Sequence, residues 1–258
     1  MNGSPRQKIL LTNDDGFENK EGVQSLFLLL SKDFQVTPVV PLYEQSGTSQ
    51  SISILSPIFV KQTGGFYTVR GTPSDCVKIG LGYIMKALPD FVVSGINAGS
   101  NIGLDVFYSG TVGAAIESSF WGITSFAVSV EKKHPADRKI DYTEVAKITR
   151  DIIAKLIKSK PLKGSVFNIN IPKNIAKIKG VRFTAQDLHL VKDNFIKGID
   201  PRGRHFFWMK SGHSKKKINK SNQSGFYSDI AALKSGYITI TPLKADYTDQ
   251  AFLHKNPD

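Results

Sequence analysis

The sequence predicts an α/β protein with a three-layer α/β/α, Rossmann-like core on a mostly parallel sheet, followed by a carboxy-terminal β-rich extension. Strand-like and helix-like segments alternate through the first two-thirds of the chain, which favours parallel pairing with right-handed crossovers. Near residue 185 this alternation gives way to short strand-like segments separated by polar turns. We therefore expect a core at residues 1–185 and an extension at residues 186–258, which packs on the core or is exchanged between subunits.

The first elements follow from apolar periodicity and from turn residues. Residues 8–12, with an apolar run at 9–11, read as a strand, and residues 21–32 read as a helix because Val23, Leu26 and Leu30 lie on one face. Pro41 ends a second strand at 34–40. Residues 51–69 resemble a β-hairpin pair broken by two adjacent glycines at 64–65.

The later elements begin with a helix for which Thr72 is the N-cap and Pro73 the first residue. Pro172 stops the last strand of the predicted core. The remaining strands are predicted at 90–94, 125–130, 165–171, 180–186, 205–209 and 237–242, and the remaining helices at 111–121, 141–158 and 229–234.

Composition narrows the class of protein. The single cysteine, Cys76, excludes an internal disulfide and a cysteine-based metal cluster. Residues 1–7 are polar, and no stretch approaches the roughly 18 apolar residues of a membrane span, so we expect a cytoplasmic protein with no membrane partner. The formal charge of +12, from 34 basic and 22 acidic side chains, favours anionic partners.

Two adjacent carboxylates, Asp14 and Asp15, directly follow the first predicted strand. In an open α/β sheet, ligands bind outside the carboxyl ends of the strands. Neighbouring carboxylates repel each other, and a divalent cation held by oxygen ligands would relieve that repulsion. The alternative is a turn, because Asn, Asp and Gly in the run Asn13–Gly16 all tolerate left-handed backbone angles.

Three further segments are predicted at the same edge of the sheet, and together they favour a site over a simple turn. The segment QSG at 45–47 offers a hydroxyl and a glycine that lets the backbone approach an anion. The segment SGINAGSNIG at 94–103 supplies amide side chains on a loose dinucleotide-type glycine spacing. The segment YSGT at 108–111 begins a helix, where backbone N–H groups and the helix dipole favour phosphate, although capping alone is the alternative.

These residues predict a metal-assisted phosphoryl-transfer site. Oxygen donors favour one Mg²⁺ or Mn²⁺ over Zn²⁺. The predicted metal ligands are Asp14, Asp15, Ser46 and Asn97. The predicted catalytic residues are Asp14, Asn97 and Ser109. The predicted substrate contacts are Asn13, Gly47, Asn101, Ser109, Gly110 and Thr111. Asp105 is a candidate general acid only because it follows the glycine loop, and a surface role is its alternative.

Two other readings stay open at this point. One is an aspartyl-phosphate phosphotransferase in which one of the paired acids is the nucleophile. That chemistry commonly has one residue between the two acids, whereas here they are adjacent. The other is a module that binds polyphosphate or RNA through the lysine-rich segment Lys210–Lys220, whose alternative is a solvated loop. We do not expect nucleic acid to be the main partner.

The ordered set of motifs resembles the survival-protein E (SurE) family of phosphohydrolases. The matching segments are LLTNDDG at 10–16, QSG at 45–47, GTPSDCV at 71–77, VSGINAG at 93–99, YSGTV at 108–112, FNINIP at 167–172 and GYITITP at 236–242. The family pattern places the metal at the positions of Asp14, Asp15, Ser46 and Asn97. Residues 205–208, HFFW, are a variant of the aromatic run that usually follows the family's arginine-glycine segment.

The resemblance implies a metal-dependent nucleotidase that removes phosphate from nucleoside monophosphates. We expect nucleoside 5′-monophosphates as substrates, with 3′-nucleotides and short-chain polyphosphate as further candidates. It also implies a homodimer or homotetramer with exchanged carboxy-terminal elements. The variant aromatic run and the lysine-rich stretch after Trp208 bear on substrate preference and on the oligomeric contact.

Overall fold

A central β-sheet of nine strands organises the protein. The computed structural model describes residues 6–132, 140–189, 193–210 and 225–255. The strands are β1 (Lys8–Thr12), β2 (Gln35–Pro41), β3 (Phe59–Thr63), β4 (Phe66–Arg70), β5 (Phe91–Ala98), β6 (Thr124–Val130), β7 (Val166–Ile171), β8 (Val181–Phe183), β9 (Asn194–Ile199), β10 (His205–Lys210) and β11 (Ile238–Leu243). The helices are α1 (Glu21–Leu30), α2 (Pro73–Ile79), α3 (Gly110–Ser119), α4 (Tyr142–Lys158), α5 (Asp229–Lys234) and α6 (Gln250–Lys255).

The strand order places the start of the chain at the centre of the sheet. The order is β3-β4-β2-β1-β5-β6-β7-β11-β8, parallel from β4 to β7, with β3 antiparallel to β4 and β11 antiparallel to β7. β1 lies between β2 and β5, so the order reverses there. A crevice forms at such a switch point, and the ends of β1, β2 and β5 therefore meet at one edge.

Helices cover both faces of the sheet and form the predicted three layers. Ile9 and Leu11 of β1 pack with apolar residues of α1 and α4, whereas Leu10 packs with those of α2 and α3. A parallel strand that is buried on both faces reads as a continuous apolar run rather than an alternating one. This explains the segment Ile9–Leu11. Within the described ranges, no helix is both long and apolar enough to cross a membrane.

The mostly parallel α/β fold confirms the sequence prediction, and individual elements differ in detail. The predicted hairpin within 51–69 is only β3 and β4, with the turn at the two glycines. Residues before β3 are not paired as a strand, because they bind the start of α2. The Thr72 hydroxyl donates to the Ser51 carbonyl oxygen, and Asp75 accepts from the Ser53 amide. Strand β9 and helix α6 were not predicted.

The carboxy-terminal segment contributes to the central sheet. β11 lies between β7 and β8, and α5 packs against β11. β9 and β10 form a separate antiparallel hairpin with largely exposed side chains. The division at residue 185 and the exchange of elements between subunits stay predictions.

Candidate active site

Asp14 is held against the first turn of α3. Its Oδ1 accepts from the Thr111 hydroxyl at 2.5 Å, and its Oδ2 accepts from the Thr111 amide at 3.2 Å. Only 4% of Asp14 is exposed. Burial raises the pKa of the Asp14 carboxyl, the hydrogen bonds from Thr111 lower it, and the net pKa lies above its usual value. The carboxylate is thus fixed in direction and costly to charge.

Asp15 is half-buried beside it. Burial and the neighbouring charge of Asp14 raise the pKa of Asp15 to about 7, although an N–H of Ala98 and the cation of Lys132 act in the opposite sense. Two adjacent carboxyls that both resist ionisation form a site that a divalent cation would stabilise.

Ser46 lies in the loop that follows β2. The Gln45 amide donates to the Asp14 carbonyl oxygen at 2.8 Å, which ties this loop to the end of β1. The Ser46 hydroxyl donates to Glu44 Oε1 at 2.7 Å, so the lone pairs of its oxygen can turn away from Glu44. Gly110 lets the start of α3 lie close to Asp14 and to this loop. A Cβ added to Gly110 would lie 3.1 Å from the Asp14 Cβ and 3.2 Å from the Gln45 carbonyl oxygen.

Asn97 reaches the same edge through an irregularity in β5. The register of β5 against β6 shifts between Ser94 and Asn97, and such bulges change the direction of a side chain. Gly95 is required there, because its φ is 137° and an added Cβ would lie 2.3 Å from the Val128 carbonyl oxygen. The Asn97 Nδ2 donates to the Gly99 carbonyl oxygen at 2.7 Å. Its Oδ1 is therefore the atom that can coordinate a cation.

Two cavities meet between these side chains, and Ser46, Asn97 and Ala98 line both. The larger, of about 420 Å³, is acidic and contains Asp15. It is also lined by Glu18, Asn19, Glu21, Glu44, Lys132 and Tyr142. The smaller, of about 270 Å³, contains Asp14. It is also lined by Gly47, Gly99, Ser100, Asn101, Asp105, Tyr108 and Ser109.

The donor set at the junction of the cavities fits a hard divalent cation. It combines two carboxylates with a hydroxyl and an amide oxygen, and Mg²⁺ or Mn²⁺ prefers such oxygen ligands. In the part of the chain that the structure describes, no group of three or more His, Cys, Asp or Glu side chains could hold a metal ion. A cation here would therefore rely on neutral oxygens, and on water or substrate, for its remaining ligands.

The start of α3 closes the smaller cavity. The Ser109 hydroxyl oxygen accepts from the Val112 amide at 3.1 Å as the N-cap, which leaves its O–H free to donate to a ligand. The first amides of a helix have no intrahelical partner and favour an anion. The Gly110 amide is one of these. The arrangement suits a phosphoryl group placed between α3 and the carboxylates.

A buried polar network holds the loop between Asn97 and Ser109. The Asn101 amide donates to Asn170 Oδ1 at 2.8 Å, and the Asn101 carbonyl oxygen accepts from Asn170 and Asn168 at 3.1 and 2.7 Å. Asp229 of α5 accepts from the Gly103 amide at 2.9 Å. The carboxy-terminal segment thus anchors the loop that carries site residues.

Comparison with known proteins shows to which family the chain belongs. A family model described as survival protein SurE matches residues 9–193, which is most of the chain. The chain belongs to the SurE family. A relative named "5'-nucleotidase SurE" from Thermoanaerobacter sp. (strain X514) is 38% identical over 247 residues, which is 94% of each chain.

Two other SurE proteins extend the likeness to nearly the whole chain. A "5'-nucleotidase SurE" from Caldanaerobacter subterraneus subsp. tengcongensis is 36% identical over 255 residues, covering 97% of this chain and 96% of its own. The crystal structure of the Sure protein from Aquifex aeolicus matches with a TM-score of 0.79 and 33% identity, covering 96% of this chain and 98% of that one. The family membership predicted from the motifs is confirmed.

The structure brings most of the predicted SurE-type site residues together. Asp14, Asp15, Ser46 and Asn97 line the joined cavities, as do Gly47, Asn101 and Ser109. Three predicted substrate contacts lie further in. Asn13 is 1% exposed, and its Nδ2 donates to the Gly16 carbonyl oxygen. Thr111 is fully buried with both donors on Asp14. Gly110 is also buried. Their roles in binding substrate stay predictions.

Several residues at the site were not predicted. Glu44 and Lys132 follow β2 and β6, and attention to every charged residue beyond a parallel strand would have found them. Asn170 lies in the segment FNINIP that resembles the family, but the contacts made by Asp229 and Asn170 have no local signal, because their partners lie 126 and 69 positions away. Asp105, by contrast, was named from the sequence as a candidate general acid. It lines the smaller cavity, and burial and the charge of Asp193 raise its pKa; its role stays a prediction.

Proposed function

We propose that this protein is a metal-dependent phosphomonoesterase that hydrolyses nucleoside 5′-monophosphates to nucleoside and phosphate. The observation that carries the proposal is the adjacent pair Asp14 and Asp15 at the sheet switch point, with Asp14 buried against the start of α3 and Asp15 half-buried beside it. The names of the relatives support a nucleotide phosphomonoesterase. Water adds to phosphorus, the ester P–O bond breaks, and the departing nucleoside oxygen takes a proton.

The proposed ligands of one Mg²⁺ or Mn²⁺ are Asp14, Asp15, Ser46 and Asn97. When bound, the cation supplies positive charge that polarises the phosphoryl group and makes water a better nucleophile. Thr111 holds Asp14 in direction through two hydrogen bonds. The Gly99 carbonyl oxygen accepts from the Asn97 Nδ2, which leaves the Asn97 Oδ1 as the proposed ligand. These contacts preorganise the ligands before substrate binds.

The start of α3 is the proposed phosphate-binding element. Ser109 donates its hydroxyl hydrogen, and the amides of the first turn stabilise negative charge on the transferring group. Asn101, fixed by Asn168 and Asn170, and Gly47 form further walls of the smaller cavity. A phosphate between these walls would lie next to the carboxylates only if a cation screened their charge.

The test is phosphate release from AMP, GMP and other monophosphates with Mg²⁺ or Mn²⁺, before and after chelation with EDTA. We predict that Asp14→Asn lowers kcat by at least about 100-fold with the fold retained by circular dichroism, because a ligand and its charge are lost. The matched control is Asp33→Asn, an exposed carboxylate after α1 that lines neither cavity. Turnover that survives EDTA, or a normal rate for Asp14→Asn, would refute the proposal.

The same assay addresses the finer predictions. 3′-Nucleotides and short-chain polyphosphate are added as substrates, and light scattering measures the proposed homodimer or homotetramer. Trapping of a phosphorylated enzyme would favour the aspartyl-phosphate reading instead. Of the lysine-rich segment, Lys210 ends β10 and is exposed, whereas residues 211–220 lie outside the described residues. RNA or polyphosphate binding stays the alternative function, and the cytoplasmic location stays a prediction.

A further inference from the structure

An exposed aromatic ring, Tyr108, stands at the mouth of the smaller cavity. Tyr108 lines this cavity together with Asp14 and Ser109, and 66% of the residue is exposed. It directly precedes Ser109, the N-cap of α3 and the proposed phosphate contact. The ring therefore lies beside the place where a substrate phosphate would bind, and outside it.

The backbone beneath this ring is fixed from two sides. The Tyr108 carbonyl oxygen accepts from the Ser49 amide at 3.0 Å, and the Tyr108 amide donates to the Asp105 carbonyl oxygen at 3.0 Å. The Ser49 hydroxyl also donates to the Phe107 carbonyl oxygen at 2.6 Å. A surface loop held in this way presents its side chain from a fixed position, which lowers the entropy lost when the side chain binds a ligand.

The neighbouring aromatic residue has a different environment. The Phe107 ring packs against the Tyr247 ring with centroids 6.1 Å apart. Among the residues that the structure describes, no ring pairs with Tyr108. An exposed ring of this kind, anchored at its backbone beside a polar cavity, is a surface on which a planar ligand can stack.

The size of the cavity indicates which part of a ligand would reach the ring. Its volume of about 270 Å³ lies just below the range of roughly 300–1,000 Å³ that encloses a drug-sized ligand. Its lining is rich in amide and hydroxyl groups, which suit a phosphate and a sugar. A nucleobase would extend beyond this lining to the rim, where Tyr108 stands.

We propose that Tyr108 binds the base: its ring stacks on the nucleobase of a nucleoside monophosphate whose phosphate lies at Ser109 and Asp14. This inference rests on the proposed function. It adds a physical reason why the enzyme would prefer nucleotides to other phosphomonoesters. Because every base offers a π-face, stacking discriminates weakly between bases. The preference is therefore for the presence of a base.

The experiment compares two substrates that differ by the base, AMP and ribose 5-phosphate. The values of kcat and KM are measured for wild type, Tyr108→Ala and Tyr108→Phe with saturating Mn²⁺. Circular dichroism checks that each protein is folded. Removal of one stacked ring is expected to lower kcat/KM for AMP on the order of 10-fold, mainly through KM. The value for ribose 5-phosphate should change less than about twofold, and Tyr108→Phe should behave as wild type because it keeps the ring.

The control is Tyr83→Ala, which removes an 83% exposed ring that lines neither cavity and should leave both substrates unaffected. Unchanged AMP kinetics in Tyr108→Ala would overturn the inference. Equal losses of kcat/KM for both substrates would also overturn it, because Tyr108 would then be a structural residue of the loop. If the oligomeric mass also fell, Tyr108 would instead be part of a contact between copies of the chain. A wild-type protein that hydrolyses neither substrate would instead overturn the proposed function, and the inference with it.

Discussion

Replacing Asp15 by Asn should stabilise the metal-free protein, although it removes a proposed metal ligand. Asn has nearly the same shape and keeps an oxygen that can accept the N–H of Ala98. It carries no charge, so it avoids both the burial cost and the repulsion from Asp14. The substitution thus separates the contribution of this side chain to stability from its contribution to metal binding.

The size of the effect follows from the pKa of Asp15. Burial and the charge of Asp14 raise the pKa of Asp15 to about 7 from its ordinary value of 3.8. At about 1.4 kcal/mol per pH unit, charging Asp15 at pH 8 costs the folded state up to about 4 kcal/mol. The cost is absent below about pH 4, where folded and unfolded states are both protonated. It grows between pH 4 and 7 as only the unfolded state loses its proton, and is constant above that.

The assay is urea denaturation with EDTA at pH 4, 6 and 8, at one protein concentration because oligomerisation changes apparent stability. We expect Asp15→Asn to raise the free energy of unfolding by about 2–4 kcal/mol at pH 8, and by little at pH 4. Mn²⁺ at 100 times its Kd should stabilise the wild type by about 2.7 kcal/mol and the variant far less. A variant less stable than wild type in EDTA, or a gain equal at all three pH values, would refute the reasoning.

Two further predictions concern the buried contacts that hold the loop between Asn97 and Ser109. Asn170→Ala removes the partner of the Asn101 amide, so it should lower the free energy of unfolding by about 1–3 kcal/mol and raise KM for AMP. The control Asn174→Ala, which lies outside the network, should change neither. Asp229→Ala leaves the amides of Gly103, Asp187 and Ile230 without their acceptor, and displacement of the loop should lower kcat/KM on the order of 100-fold. Urea denaturation and phosphate release measure both variants, and wild-type kinetics in Asp229→Ala would show that the loop is held without it.

Asp14 and Asp15 illustrate why short segments of the sequence were sufficient to predict where much of the site lies. The β1 strand is short and apolar, and the polar residues directly after it must lie at the sheet edge. The same holds for Ser46 after β2 and for Asn97 at the end of β5. Each of these placements depends on the length and periodicity of one segment. Residues 51–58 misled the prediction because hydrogen bonds to the distant α2 replace strand pairing there.

Local periodicity by itself determined the succession of strands and helices in most of the core, and with it the set of oxygen-bearing side chains at one edge of the sheet. Tertiary structure alone decided which of them face a common cavity, because that depends on the irregular register of β5 and on contacts such as that between Asp14 and Thr111, 97 positions apart. It also decided the raised pKa of Asp15, since burial arises only when separate segments pack together. Electrostatics of this kind has no signature within a short stretch of chain.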